Sequence, residues 1–451
     1  MKIGTFIGIL FNNLNTYALL AIVVFIIYYI LFHRYIFSIF DPMFFGNIIP
    51  SAFATTTVLF LIVMKKIEII YLYNYMITLF SFYSFFFLYG KKIPKEASMK
   101  FTIKHYKNTY QNLYYSSMDY LGSYFWIFFV ILSSFNVLIQ VFFYVKTGIP
   151  LFMDSRLTVQ MNGGAVIGVL TRLKYFLEPV TTFMSFFLLY SSKSKQRFIA
   201  KSYVLYLIVV GFFSGSKSGI INYIFIFSLF IFYTQKTNKK WVYRISNPKS
   251  IIVLFFGGIF VLAIIHIQQK GDFIGTLNHL ILRFAAYGDG YVYAYPNNTI
   301  NMVYKPGLLK FIFGDFLYTF RLLNGRPIGF GFELSNIVYN VTNSITGPNP
   351  RFNLVGYAYF GFWGSILLSL ISGALFTFGR NILISALNKN PSYIIFAYFI
   401  SGLVTSIESD ICNVISNITT NLFLQIMFFI FIYFFLIYLV PKKNKLCTSI
   451  L

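Results

Sequence analysis

Negative charge is the scarcest property of this chain: twelve Asp and Glu stand against 36 Lys and Arg in 451 residues. Charged residues of both signs reach only 11%, less than half of the roughly 25% of a soluble domain. So few charges cannot cover a water-facing surface, which excludes a soluble globular enzyme. Cysteine is nearly missing as well. Cys412 and Cys447 are the only two, and they cannot form a cysteine-based metal site. The topology below sets Cys412 near the outer face and Cys447 in the inner tail, so no disulfide is expected between them. The four histidines, His33, His105, His266 and His279, show no ligand spacing. Neither an Asp-x-Asp pair nor a Gly-rich phosphate loop occurs. Nothing in these residue types calls for a metal or a cofactor. A cleavable leader is not expected either: the first apolar run follows one early Lys and has no nearby small-residue cleavage site.

Apolar residues fill the chain instead. They make up 58% of it, with a mean hydropathy of +0.72. They come in runs of about twenty, the length a helix needs to cross about 30 Å of hydrocarbon. Runs bounded by polar punctuation predict an all-α polytopic membrane protein with about eleven transmembrane helices. The expected spans are 15–32, 44–64, 67–89, 120–143, 166–190, 198–214, 218–233, 251–267, 357–378, 391–407 and 421–440. Residues 1–451 then form one multi-pass domain, with 268–356 as a large outer loop inside it.

The net charge of +24 does not point to nucleic acid, because the cations sit in short clusters between apolar runs. That is how Lys and Arg fix membrane orientation and meet anionic lipid headgroups. Three connections are strongly basic: Lys91 to Lys107, Lys193 to Lys201, and Lys236 to Lys249. Placing them in the cytoplasm also places Arg34, Arg380, Lys389 and the tail lysines there. The N-terminus is then outside and the C-terminus inside. Lys65 and Lys66 fall on the opposite side. Tyr203 to Tyr233 is apolar except for Ser214-Gly215-Ser216-Lys217-Ser218-Gly219. One helix through it would be about 46 Å long, too long for a single crossing. A hairpin with Lys217 near its outer tip, facing a wet cavity, is expected.

The outer side concentrates the chemistry. The loop 268–356 contains Arg283, Arg321, Arg326 and Arg351 together with His279, Asp289 and Glu333. A connection this long is usually functional, and its cations break the pattern kept by the rest of the chain. Apolar residues at helical spacing in 273–287 and 308–323 predict helices lying on the membrane interface. Tyr287, Tyr291, Tyr293 and Tyr295 suit a headgroup-level girdle. A second outer loop, 144–168, carries Arg156, and the span after it carries Arg172, Lys174 and Glu178. Ionisable groups in a span are functional candidates by default, although Lys174 and Glu178, four residues apart, also suit a simple pair on one helix face. Convergent cations over an apolar groove suit a phosphate or diphosphate on a lipid tail.

The succession of motifs resembles the O-antigen (oligosaccharide repeat-unit) polymerases of the Wzy type. Arg34…Asp41-Pro42 follows the first span. Gly148-Ile149-Pro150-Leu151-Phe152 precedes Arg156 and Gly163-Gly164. Gly215-Ser216-Lys217-Ser218 stands where relatives often show Gly-Ser-Arg. Gly347-Pro348-Asn349-Pro350-Arg351-Phe352-Asn353 runs into Tyr357-Ala358-Tyr359-Phe360-Gly361-Phe362-Trp363-Gly364 at the end of the long loop. The resemblance in architecture covers nearly the whole chain, but its motifs are short.

The resemblance implies a GT-C-like, metal-independent glycosyltransferase in the bacterial plasma (inner) membrane. It would move a growing glycan from undecaprenyl diphosphate onto the next undecaprenyl-diphosphate-linked oligosaccharide, with membrane lipids and a chain-length regulator protein as partners. In that reaction a sugar hydroxyl attacks the anomeric carbon while diphosphate leaves, and fixed cations stabilise the leaving oxygens. Arg156, Arg172, Lys217, Arg283, Arg321, Arg326 and Arg351 are the candidate cations. Asp289, Glu333 and His279 are the candidate bases; Asp289, between Gly288 and Gly290, is favoured among them, with a plain Gly-Asp-Gly turn as an equal reading of that position. A flippase for the same lipid-linked sugar and an O-antigen ligase are the rivals. A transporter tends to show internal repeats and broken midplane helices, and no repeat is evident.

Overall fold

The computed structural model describes residues 1–36, 41–93, 107–153, 164–189, 193–214, 281–325, 327–342, 347–386 and 391–427, with isolated positions 223, 226–227, 229–230, 278, 344 and 430. Among the described residues all regular structure is helical. Six helices among the described residues are long and apolar enough to cross a membrane by length and composition, which fits a polytopic membrane protein. They coincide with six of the eleven expected spans. Of the other five, 166–190 is a helix that carries three charges, and 391–407 is a helix of only 14 residues. The beginning of 421–440 continues an apolar helix, Ile411–Met427. The span at 251–267 and most of 218–233 lie outside the described residues.

The first bundle is built from α1 (Ile3–Asn12), α2 (Leu14–Phe32), α3 (Ile49–Val63) and α4 (Ile69–Tyr89). Pro50 stands at the junction where the π-helical turn Phe44–Ile48 passes into α3. Lys65, at φ 54°, closes α3 in the left-handed conformation, and Lys66 donates back to the Leu61 carbonyl at 2.9 Å. The turn is so tight that α4 returns antiparallel along α3, with Tyr75 on Thr55 and Tyr83 on Ser51. The second bundle contains α5 (Lys107–Thr147), α6 (Gly164–Leu188) and α7 (Ser194–Phe213). Each bundle has its own apolar core, the first around Phe60 and Phe82 and the second around Phe129 and Phe187.

The segment expected as a large outer loop is buried in part among the described residues. It contributes α8 (Asp289–Ala294), α9 (Leu308–Thr319) and α10 (Phe330–Tyr339). α8 is tucked against α3 and α4, with Tyr291 edge-on to Tyr75 at 5.1 Å and Tyr295 stacked on Tyr71 at 4.6 Å. The expected headgroup girdle is therefore corrected at these two tyrosines, which are 0% and 1% exposed.

α11 (Phe352–Ala386) is not one rod. Its ends would lie about 50 Å apart in a straight helix. Yet Phe352 stacks on Phe82 at 4.8 Å, and Phe376 meets the same ring at 5.6 Å. The chain reverses at Gly361, at φ 72° and ψ −170°, a region that only glycine enters easily. A short arm, 352–360, folds back on a long arm, 362–386. The long arm runs parallel to α4: Asn74 donates to Ser365 at 2.8 Å and Asn381 to the Tyr89 carbonyl at 2.9 Å. At that end of the bundle, the Ile93 N–H also bonds the Arg34 carbonyl at 3.0 Å. Arg34, Lys91, Lys92 and Arg380 are thereby gathered at one end, while Tyr71, Glu68 and Asn298 meet at the other.

Arg380, expected in a polar connection, is instead buried. It grips Asp41 through two nitrogens at 2.9 and 2.5 Å, because the long arm continues to Ala386 before it ends. α12 (Pro391–Val404) ends short of the expected span, and an irregular turn leads to α13 (Ile411–Ser416), which is capped by Asp410 accepting from the Asn413 N–H at 2.8 Å.

Gly361→Ala is expected to lower stability by about 1–3 kcal/mol through strain alone. Gly8→Ala, in α1 with open space around it, should be neutral or slightly stabilising. Thermal unfolding of the two purified variants in detergent measures the difference. Equal melting of both would show that the reversal does not depend on Gly361.

Candidate functional site

The short arm of α11 and the turn after α12 meet at a buried ion pair. Arg351 donates from Nη1 to Glu408 at 3.2 Å, and the two side chains are 3% and 1% exposed. The remaining guanidinium nitrogens are also engaged: Nη2 donates to the Pro50 carbonyl at 3.0 Å and Nε to the Tyr287 carbonyl at 3.1 Å. Glu408 further accepts from Ser51 and, at 3.0 Å, from Tyr83. One pair thus ties together α3, α4, α11, the α8 approach and the turn after α12. Tyr28, Thr55 and Tyr75 continue the polar patch as a run of hydroxyls at 3.0 and 2.7 Å. A charge buried in hydrocarbon is tolerable only with this degree of pairing.

The sequence reading sets Arg351 among the cations over a lipid-diphosphate pocket; in the structure it is 3% exposed and its fork is filled by protein acceptors. Asp289 lies beside it. The Gly-Asp-Gly turn touches the Gly347–Arg351 segment, with Gly290 packed on Leu354 and Asn349. Burial pushes the Asp289 carboxyl up to about 7, against the pull of the Gly290 N–H, the Arg351 charge and the Asn349 N–H. Desolvation of this kind is what tunes a carboxylate toward base catalysis near neutrality. Tyr287, between them, is raised by burial and lowered by the charges of Arg351 and Arg283. Arg283 itself is exposed. Arg283, Asp289 and Arg351 are therefore brought to one neighbourhood.

The other expected residues are spread wider. Arg172 sits on α6 and pairs with Asp315 of α9 at 2.9 Å, with a further bond to Asn421 at 3.3 Å. Burial alone would raise Asp315, but the hydrogen bonds of Arg172 and Ser416 and the charge of Arg172 hold it below its usual range. Lys174 and Glu178 pair at 3.3 Å on one helix face, the simpler of the two readings of that spacing. Arg321 is exposed and closes α9 at φ 59°. Glu333, on α10, accepts from the Tyr304 N–H. Burial raises its carboxyl and that bond lowers it, with burial ahead. Its bond straps the preceding loop onto α10. Arg156, Lys217, His279 and Arg326 lie outside the described residues.

The sequence reading does not single out Glu408, nor Asp41 as a buried acid. The usable signal is an acid inside a long weakly polar run, which is a functional candidate in a membrane by default. Ending the expected span at residue 407 places Glu408 just outside it.

Glu408→Ala alone is expected to cost about 3–5 kcal/mol, because it leaves Arg351 buried and unpaired. Replacing both partners by Met should recover most of that loss. Thermal unfolding of the two variants measures it, and equal destabilisation would mean that the pair itself does not hold the fold.

No protein-family model, no curated protein and no solved structure matches this chain.

Proposed function

We propose that this chain is a metal-independent glycosyltransferase of the bacterial inner membrane that polymerises undecaprenyl-diphosphate-linked oligosaccharides, in the manner of the Wzy-type O-antigen polymerases. The observation that carries the reading is Asp289, a carboxyl held near 7 beside the Gly347–Arg351 segment, with the exposed cation of Arg283 in the same neighbourhood. In this reading Asp289 takes the proton of the attacking sugar hydroxyl. Arg283 meets the departing diphosphate, and Arg351, neutralised by Glu408, keeps the Asp289 turn in place. Arg156, Lys217 and Arg326 belong to the same proposal as further cations, and Arg172 holds α9 over the bundle. The GT-C-like architecture, the eleven crossings, the outward N-terminus and the chain-length regulator partner are part of it too. The gathering of Arg34, Lys91 and Lys92 at one end supports that end as cytoplasmic.

A flippase for the same lipid-linked sugar is the second reading. The helix interrupted after Val404, with Glu408 in its break, and the folded-back arm 352–360 favour it, because transporters build midplane sites from such elements. Deletion of the gene separates the two. Loss of the polysaccharide length ladder with single repeat units still attached supports the polymerase. Loss of all attached sugar supports the flippase or an O-antigen ligase.

Asp289→Asn is expected to abolish polymer at normal protein level. Ionised Asp289 costs the fold stability as pH rises toward 7, since its folded pKa stands above its unfolded value. Asn stays neutral, so the variant should melt no lower than the wild type. Polymerisation by the wild type in membranes should fall as pH drops through about 7, where the base becomes protonated. A wild-type ladder from Asp289→Asn would remove it as the base. Arg283→Ala should abolish polymer at normal protein level, and an unchanged ladder would remove Arg283 from the site.

A further inference from the structure

At the basic end of the first bundle, α2 and α4 leave a cleft of about 330 Å³ lined by Ile30, Leu31, His33, Arg34, Tyr35, Phe87 and Lys92. One wall is apolar and faces outward: Ile30 and Leu31 are 61% and 47% exposed. The rim carries Arg34 and Lys92, with His33 beside them. The rim is held in place by the backbone bond from Ile93 to the Arg34 carbonyl at 3.0 Å. Below it, the Phe87 ring rests against Phe32 at 5.2 Å and Tyr35 at 6.1 Å. His33 is fixed by Nδ1 against the Ile30 carbonyl at 2.8 Å, leaving Nε2 on the other side of the ring.

Among the described residues the charge in this cleft is one-sided. Neither Arg34 nor Lys92 has a side-chain hydrogen bond or ion pair among the described residues. Lys91 turns away to Ser385 at 2.5 Å. Asp41, the acid that follows on the same connection, is already neutralised by Arg380. A guanidinium and an ammonium above an exposed aliphatic wall suit an anion carried on a hydrocarbon chain. Arg supplies a planar fork for phosphate oxygens, Lys a point charge, and the wall a place for the first acyl carbons. Basic pockets between transmembrane helices recognise anionic lipid headgroups in this way.

We infer that this cleft binds the phosphate headgroup of an anionic phospholipid, with its acyl chain lying along Ile30 and Leu31 of α2. The site is at the opposite end of the bundle from Tyr71 and Asn298, and it does not depend on the reaction proposed above.

The test uses the full-length protein in lipid nanodiscs of phosphatidylcholine alone or with phosphatidylglycerol of the same acyl chains. Thermal unfolding and native mass spectrometry of retained lipid provide the readouts. Phosphatidylglycerol should raise the melting temperature and be retained in preference to phosphatidylcholine. Arg34→Gln with Lys92→Gln should lose most of that rise and at least about tenfold in preference, while melting like the wild type in phosphatidylcholine. Lys65→Gln with Lys66→Gln, at the other end, should keep both effects. Equal response to the two lipids in the wild type would overturn the inference. So would an unchanged preference in the Arg34/Lys92 variant, or an equal loss in the Lys65/Lys66 variant. Soluble glycerol 3-phosphate is added to detergent-solubilised protein as a separate arm. Stabilisation by it at the level given by the lipid would reassign the cleft to a free phosphate ester.

Discussion

Low dielectric makes one contact decisive in this molecule, the pairing of Arg351 with Glu408. Either charge alone would be expelled toward water, and both sit where chain segments stop being regular. Arg351 precedes the folded-back arm of α11, and Glu408 occupies the turn after α12 stops. Irregular backbone among membrane helices survives only when protein partners satisfy its polar groups. Here the guanidinium satisfies two carbonyls, of Pro50 and Tyr287, besides the carboxylate. The pair is thus less a strong bond than a fastener for irregular backbone, acting beside the Ile411 N–H that bonds the Pro350 carbonyl at 3.1 Å. Asp289 takes its environment from that fastening, since its turn packs directly on the segment that ends in Arg351.

The division into spans was legible because the bilayer imposes it: a run of about twenty apolar residues has few other uses. The first three expected spans agree with α2, α3 and α4 closely, and the pairing of Lys174 with Glu178 is one of the two readings their spacing allows. What sequence periodicity could not register was depth. Tyr291 and Tyr295 read as headgroup residues because tyrosine is amphipathic, but only the fold-back of the segment decides that they meet Tyr75 and Tyr71 inside. In the same way the hydropathy from Tyr357 to Phe378 would look continuous whether or not the helix reverses; a single Gly361 at positive φ makes the difference. Glu408 escaped because span ends are the least determined feature of a hydropathy reading.

The candidate site was legible in part. Asp289 and Arg283 stand out in the sequence, and both are near the segment containing Arg351. Arg172 was grouped with them by charge alone, yet it closes a separate junction, joining α6 of the second bundle to Asp315 of α9. Charge identifies which residues are costly in a membrane; it does not tell which partner offsets the cost. That information resides in contacts between segments remote in sequence.

The same remoteness bears on how the chain is made. α2, α3 and α4 enter the membrane early in synthesis, and with them come Asp41, Ser51, Asn74 and Tyr83. Their partners Arg380, Glu408 and Ser365 are translated far later: Asp41 and Arg380 are separated by 339 positions, and Ser51 and Glu408 by 357. Contacts of such separation form late, because a long loop must close before they reward it. The parallel packing of α4 on α11 adds to this, as parallel neighbours cannot be joined by a short turn. The first helices therefore wait in the bilayer with polar groups unmatched until the last part of the chain arrives. Biogenesis, more than the finished state, is where this protein is most exposed to a charge in the wrong solvent.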